Sequence, residues 1–272
     1  MIDLACSLGL LAIFAAVGVA YAGRVARAGA VHHARIDKAG SSALLGKGAM
    51  EAGYWGLMPV GRGLAAIGLS ANGVTLISLI LGIAAAVSLA LGHFGVGALF
   101  TAIATLCDAL DGIVARLTGT ASDAGEVFDA AVDRYQEFFF IAGLALYFRA
   151  DLLWIALALL ALLGSFMVSY GTAKAEALQV ESPRGAMRRV ERAVYLGGGV
   201  LFVPVAQALA ARFGLPPWIG HAPILFALGL VGVVGNVSAA RRLAAIARAV
   251  GNRNPPPARN DGAGHAAHEG SR

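Results

Sequence analysis

The sequence predicts an all-α integral membrane protein, a bundle of apolar helices with one extra helix ahead of it. Of its 272 residues, 58% are hydrophobic and only 14% charged, against about 25% charged in an ordinary soluble domain. Several apolar runs approach the roughly 20 residues that a helix needs to cross a bilayer. The basic residues gather in the segments that separate alternate pairs of these runs.

Read in order, the runs give seven spans, over 3–22, 73–92, 94–114, 134–149, 152–173, 193–211 and 222–240. The first forms an N-terminal anchor over 1–22. Ala20-Tyr21-Ala22 resembles a signal cleavage site, but Met1-Ile2-Asp3 lacks the basic start of a signal peptide, so an uncleaved signal-anchor is the expectation. Residues 23–72 form a cytoplasmic segment. Within it, Met50 to Leu69 mixes Trp55, Leu57, Met58, Leu64 and Ile67 with Arg62 and glycines, the pattern of a helix lying at the membrane interface. Asn72 is placed to cap the second span.

The remaining spans form a six-span catalytic domain over 73–245. The fourth span is short and becomes long enough only if its helix starts before Arg134. Gly197-Gly198-Gly199 in the sixth span marks a packing point or kink. Residues 250–272, with Pro255-Pro256-Pro257 and small polar residues, read as a disordered cytoplasmic tail, and His265 and His268 as solvated side chains within it.

Charge gives an independent check on this layout. Of 21 Lys and Arg, six lie in 23–72, two in 116–134, five in 174–192 and six in 241–272, while Arg149 and Arg212 lie at the opposite ends of spans. Seven spans put all four basic regions on one side, which the positive-inside rule makes the cytoplasm. The net charge of +5 therefore faces an anionic inner leaflet. With no aromatic–basic clusters to stack bases, nucleic acid is not the expected partner. Cys6 and Cys107 fall in separate spans and suggest neither a disulfide nor a metal site.

The chemistry concentrates between Asp108 and Asp133. Positions three, four and seven apart share a helix face, so Asp108, Asp111, Gly112 and Ala115 line one side of the third span's end. Asp129 and Asp133 share a face at the start of the fourth. A helical hairpin would bring these four carboxylates together, and they cannot all carry charge side by side without cations. Hard oxygen ligands suit Mg²⁺ or Mn²⁺, and two such ions can clamp the attacking and leaving oxygens of a phosphoryl displacement. Gly112, Ala115 and Gly125 leave room for a nucleotide near the backbone, and Arg116 can face a phosphate. A lone Asp near a helix end is usually a cap, but several charges facing one another at membrane depth mark a functional site.

The stretch reads Asp-x2-Asp-Gly-x2-Ala-Arg-x8-Gly-x3-Asp-x3-Asp over 26 residues, and resembles the complete signature of the CDP-alcohol phosphatidyltransferase family. The resemblance implies a core of six spans, here the second to seventh, and transfer of a phosphatidyl group from CDP-diacylglycerol to an alcohol with release of CMP. It implies that Asp108, Asp111, Asp129 and Asp133 hold two divalent cations, with Asp133 also the general base. It implies that Gly112, Ala115, Arg116 and Gly125 surround CDP, and that the protein is a homodimer; the charge layout places that site at the cytoplasmic face of the cell membrane.

A second region bears on the acceptor. Ser169-Tyr170-Gly171-Thr172-Ala173-Lys174-Ala175-Glu176, followed by Arg184, Arg188, Arg189, Glu191 and Arg192, is similar to the bacterial phosphatidylinositol phosphate synthases of that family. The similarity implies a pocket for an acceptor phosphate from Ser169, Lys174, Arg189 and Arg192, with inositol 1-phosphate the expected acceptor. Thr172 departs from the pattern, standing where those enzymes usually carry a basic residue. The same arginines also read as an ordinary positive-inside loop, and glycerol 3-phosphate, serine and free inositol stay open as acceptors. An aspartate-rich prenyltransferase would place two Asp motifs on well-separated helices. An ion-coupled transporter would carry mid-membrane carboxylates in two related halves. The single compact cluster fits neither.

Overall fold

A computed structural model describes residues 1–29, 47–181 and 185–253; Arg184 and the tail beyond Arg253, with its two histidines, lie outside the described residues. The described chain is helical, with no strands. Its long helices are α1 (Ile2–Ala28), α2 (Lys47–Ala66), α3 (Ala71–Ala90), α4 (Phe94–Thr118), α5 (Asp123–Tyr147), α6 (Leu152–Ala177), α7 (Arg189–Arg212) and α8 (Ala222–Arg253), with a 3-10 turn at Pro217–His221 before the last.

Among the described residues, six helices are long and apolar enough to cross a membrane: α1, α3, α4, α6, α7 and the turn-plus-α8 unit. The fourth expected span, over 134–149, falls mostly in the latter part of α5, which ends at Tyr147. That helix starts at Asp123, and its early turns carry Glu126, Asp129, Asp133, Arg134 and Glu137, which sets it apart from the other six. Its 25 residues give a length of roughly 38 Å at 1.5 Å per residue, more than a bilayer core requires.

Local chemistry sets the helix starts. The second expected span is capped by Ser70 rather than Asn72: the Ser70 side chain, on an extended backbone, accepts from the Gly73 N–H. Asn72 already lies inside the first turn, where its side chain is badly placed to cap. Ser122 caps α5 in the same way through Gly125 N–H, and Asp151 caps α6 through Leu153 and Trp154 N–H.

The bundle is held by close pairs: α3 lies against α4 and α5, α6 against α8 and α5, and α7 against α8 and α4. At the α3–α5 crossing, a Cβ on Gly143 would lie 2.5 Å from the Ala86 carbonyl oxygen, so only glycine permits this approach. In the Gly197–Gly199 run, Gly199 is the packing point: a Cβ there would meet Ala227 and the Pro223 carbonyl, whereas Gly197 and Gly198 face open space. The main core gathers Leu89, Phe94, Ile141, Leu144, Val200, Leu228 and Val231 from the long helices. A smaller core joins Val74, Leu110, Ile113 and Val114 to Tyr54, Leu57, Met58 and Leu64 of α2.

Alternation of the helices gives the bundle two unlike ends. At one, Asp3 of α1 accepts from the Gly95 and Val96 N–H groups at the start of α4. Nearby, Phe94, Tyr147, Phe148 and Trp154 pack around His221. At the other end lie the motif aspartates, with Arg189 and Arg192 at the start of α7.

Candidate active site

The carboxylates converge because α3 packs against both α4 and α5, while the short link Gly119–Ser122 keeps the aspartate-bearing ends of those two helices near each other. Asp108, Asp111 and Asp129 each offer an oxygen, and these three atoms lie within 4.8 Å of one another. Asp133 stands one turn deeper on α5 and is 6% exposed. Arg189, the first residue of α7, joins the two parts: its guanidinium donates to Asp108 Oδ1 at 2.8 Å and pairs with Asp133 Oδ1. The structure therefore brings all four predicted aspartates into one cluster, with an arginine among them.

Asp111 is 7% exposed and is oriented by Thr75 of α3, whose hydroxyl donates to Asp111 Oδ2 at 2.7 Å. Ser78, one turn further along α3, accepts from Gln136 Nε2 at 2.7 Å. Asp129 Oδ1 is buried with no hydrogen-bond partner among the described residues. A buried, unpartnered carboxylate oxygen costs free energy unless something positive meets it. Oxygen-only donors, close spacing and that orphaned oxygen fit a hard divalent cation such as Mg²⁺ or Mn²⁺.

The residues expected around CDP lie on the same side. Gly112 and Ala115 are half-buried on α4, and Gly125 is half-buried in the first turn of α5. Arg116 is exposed at the end of α4, with Nη2 donating to the Tyr54 hydroxyl at 3.0 Å.

The residues expected to meet an acceptor phosphate are arranged less simply. Lys174 is exposed on α6. Arg189 belongs to the aspartate cluster, as above. Arg192 is 1% exposed, and its guanidinium forks onto Glu137 at 2.7 and 3.1 Å while also donating to Met187 O and Ser169 Oγ. Ser169 and Arg192 are thus bonded to each other, and Arg192's charge is balanced by Glu137.

Three residues of this region were not singled out from the sequence. Glu137 follows Asp133 by four residues, and the same face rule that groups Asp129 with Asp133 would have reached it. Arg242 of α8 is 5% exposed. It donates to the Val168 carbonyl and to Thr172 Oγ1, while its Nε is buried without a hydrogen-bond partner. In the sequence it reads only as one of an Arg241-Arg242 pair. Thr75 gave no local signal at all, because its partner lies 36 residues away.

Against known proteins, the profile of the CDP-alcohol phosphatidyltransferase family matches residues 69–242. The chain belongs to this family of membrane enzymes. It is 32% identical over 193 residues to the phosphatidylinositol phosphate synthase of Mycobacterium marinum, covering 68% of this chain and 76% of that relative. It is 35% identical over 185 residues to the bifunctional IPC transferase and DIPP synthase of Rubrobacter xylanophilus, but spans only 38% of that protein's length. Among solved structures, it is similar to the phosphatidylinositol phosphate synthase of Mycobacterium tuberculosis with CDP-DAG bound, at TM-score 0.60 and 26% identity, covering 70% of this chain and 92% of that one. The same Mycobacterium tuberculosis enzyme in complex with manganese and citrate gives a TM-score of 0.61 at 25% identity, covering 70% and 88%.

Proposed function

We propose that this chain transfers the phosphatidyl group of CDP-diacylglycerol to the hydroxyl of inositol phosphate, releasing CMP, at the cytoplasmic face of the cell membrane. The observation that carries this reading is the convergence of Asp108, Asp111 and Asp129 between α4 and α5, with Asp133 tied to Asp108 through Arg189 and Asp129 Oδ1 left without a donor. The relatives named as phosphatidylinositol phosphate synthases, and the similar structure with CDP-DAG bound, support the donor and acceptor. The homodimer implied by the family resemblance belongs to the same proposal. Orientation is supported by charge: the cluster shares its end of the bundle with Arg116, Arg188, Arg189, Arg192 and Arg242, whereas Arg149 and Arg212 sit at the opposite helix ends.

In this reading the four aspartates would hold two divalent cations, whose charge would offset that of the diphosphate and of the CMP that leaves. Gly112, Ala115 and Gly125 let the nucleotide approach the backbone, and Arg116 meets its phosphates. Asp133 accepts the proton of the acceptor hydroxyl. The hydroxyl oxygen then bonds to the phosphorus carrying diacylglycerol as the bond to CMP breaks. Most of the acceleration comes from positioning and charge stabilisation. Ser169, Lys174, Arg189 and Arg192 form the acceptor side. Arg242, bonded to Thr172, supplies the cation that Thr172 itself lacks.

The test is CMP release by purified protein with Mn²⁺, offered inositol 1-phosphate, glycerol 3-phosphate, serine and inositol in turn. Release with inositol 1-phosphate is expected, with Arg242→Ala raising the KM of that acceptor and leaving that of CDP-diacylglycerol unchanged. Release with a different acceptor alone would overturn the acceptor assignment.

A further inference from the structure

We propose that α2, which lies ahead of the segment matched by the family, is part of the nucleotide site, and that Tyr54 is the residue that positions Arg116 toward CDP. This rests on the reading of Arg116 as a ligand of the CDP phosphates. The family match begins at residue 69, after α2 ends at Ala66, so it assigns nothing to this helix.

The helix is seated firmly on α4. A Cβ at Gly61 would lie 2.5 Å from Ile113 Cγ2, so the two helices touch closely there. Tyr54 lies seven residues earlier, on the same face of α2, and packs with Leu57, Met58 and Leu64 on the small core of Leu110, Ile113 and Val114. The packing brings its ring to the end of α4, where the Arg116 guanidinium carbon lies 6.0 Å from the ring centroid and Nη2 donates to the phenolic oxygen at 3.0 Å. On the other side α2 is tied to α1. Tyr21 donates to Glu51 Oε2 at 3.1 Å, and Arg24 lies over the Trp55 ring at 5.8 Å.

The consequence follows from arginine's inventory. A guanidinium has five N–H donors in a rigid plane; Tyr54 takes one, leaving the others for phosphate. An exposed arginine otherwise loses much rotamer freedom when it grips a ligand. Holding Arg116 in place beforehand removes part of that cost from donor binding. The effect belongs to the donor and not to the acceptor, which is met by residues of α6, α7 and α8.

The experiment compares Tyr54→Phe with wild type, and repeats the substitution in an Arg116→Ala background, by CMP release and by calorimetric titration of CMP. Tyr54→Phe keeps the ring and its packing and removes only the oxygen. Expected are about a fivefold rise in the KM of CDP-diacylglycerol and in the Kd of CMP, about 1 kcal/mol, at unchanged kcat and unchanged acceptor KM. In the Arg116→Ala background the same change has no further effect. An equal effect in both backgrounds, a rise in acceptor KM, or no change would overturn the inference. The CMP titration reads this even where turnover is weak, and wild-type CMP release separately tests the reaction itself.

Discussion

Replacing Thr75 with valine should weaken metal binding while leaving the fold in place. Thr75 is 3% exposed and Asp111 7%, so neither group has water to fall back on. The hydroxyl has one proton and two acceptors in range, Asp111 Oδ2 at 2.7 Å and Ala71 O at 3.1 Å. The carboxylate is the shorter and the charged partner. Valine keeps the shape and removes that donor, so a buried carboxylate loses an orienting bond worth about 1.5–3 kcal/mol. At 1.4 kcal/mol per tenfold, the expected loss in Mn²⁺ affinity is roughly 10- to 100-fold, the range usual for an outer-shell partner of a metal ligand. The assays are Mn²⁺ binding followed by electron paramagnetic resonance and the Mn²⁺ midpoint of CMP release. Both midpoints should move up together, and saturating Mn²⁺ should restore turnover. An unchanged midpoint, or a loss that no Mn²⁺ concentration repairs, would refute the role given to Thr75.

Further expectations concern the scaffold. Glu137→Ala leaves the Arg192 guanidinium buried without its counter-charge, which should cost about 3–5 kcal/mol and lower the thermal midpoint in detergent; an unchanged midpoint would show the pair to be dispensable. Gly95→Ala places a Cβ 1.9 Å from the Asp3 carbonyl oxygen and should lift α1 off α4. A cysteine pair introduced across that contact would then cross-link less readily than in the wild-type background. Gly197→Ala, with nothing within 4 Å of the added carbon, is the control and should change neither stability nor cross-linking.

Much of this architecture was legible in the sequence because membranes impose long apolar runs and a charge asymmetry that few other constraints produce. The aspartate cluster was legible for a related reason: charges at membrane depth are rare, and the helical period sorts them by face. What escaped depends on tertiary contact. Ser70 and Asn72 are both good caps, and only the point where α3 begins decides between them. Thr75, Arg242 and Tyr54 look ordinary along the chain, and their partners lie 36, 70 and 62 residues away. The pairing of Arg192 with Glu137 across 55 residues is likewise invisible to a rule that sees only neighbours on one helix. Hydropathy reaches only the apolar half of Asp123–Tyr147; the face shared by Asp129 and Asp133 carried the helix back past Arg134, but not to its start at Asp123.

The central claim is that the four aspartates carry metal-dependent transfer from CDP-diacylglycerol, with Asp133 taking the acceptor's proton. Asp133→Asn tests it most directly, measured as CMP release with inositol 1-phosphate and Mn²⁺ alongside binding of CDP-diacylglycerol to the same preparation. The account predicts a folded protein that still binds the donor and releases CMP at least a hundredfold more slowly, in line with the usual contribution of about 10²–10⁴ from general acid–base catalysis. Wild-type turnover by Asp133→Asn would contradict it.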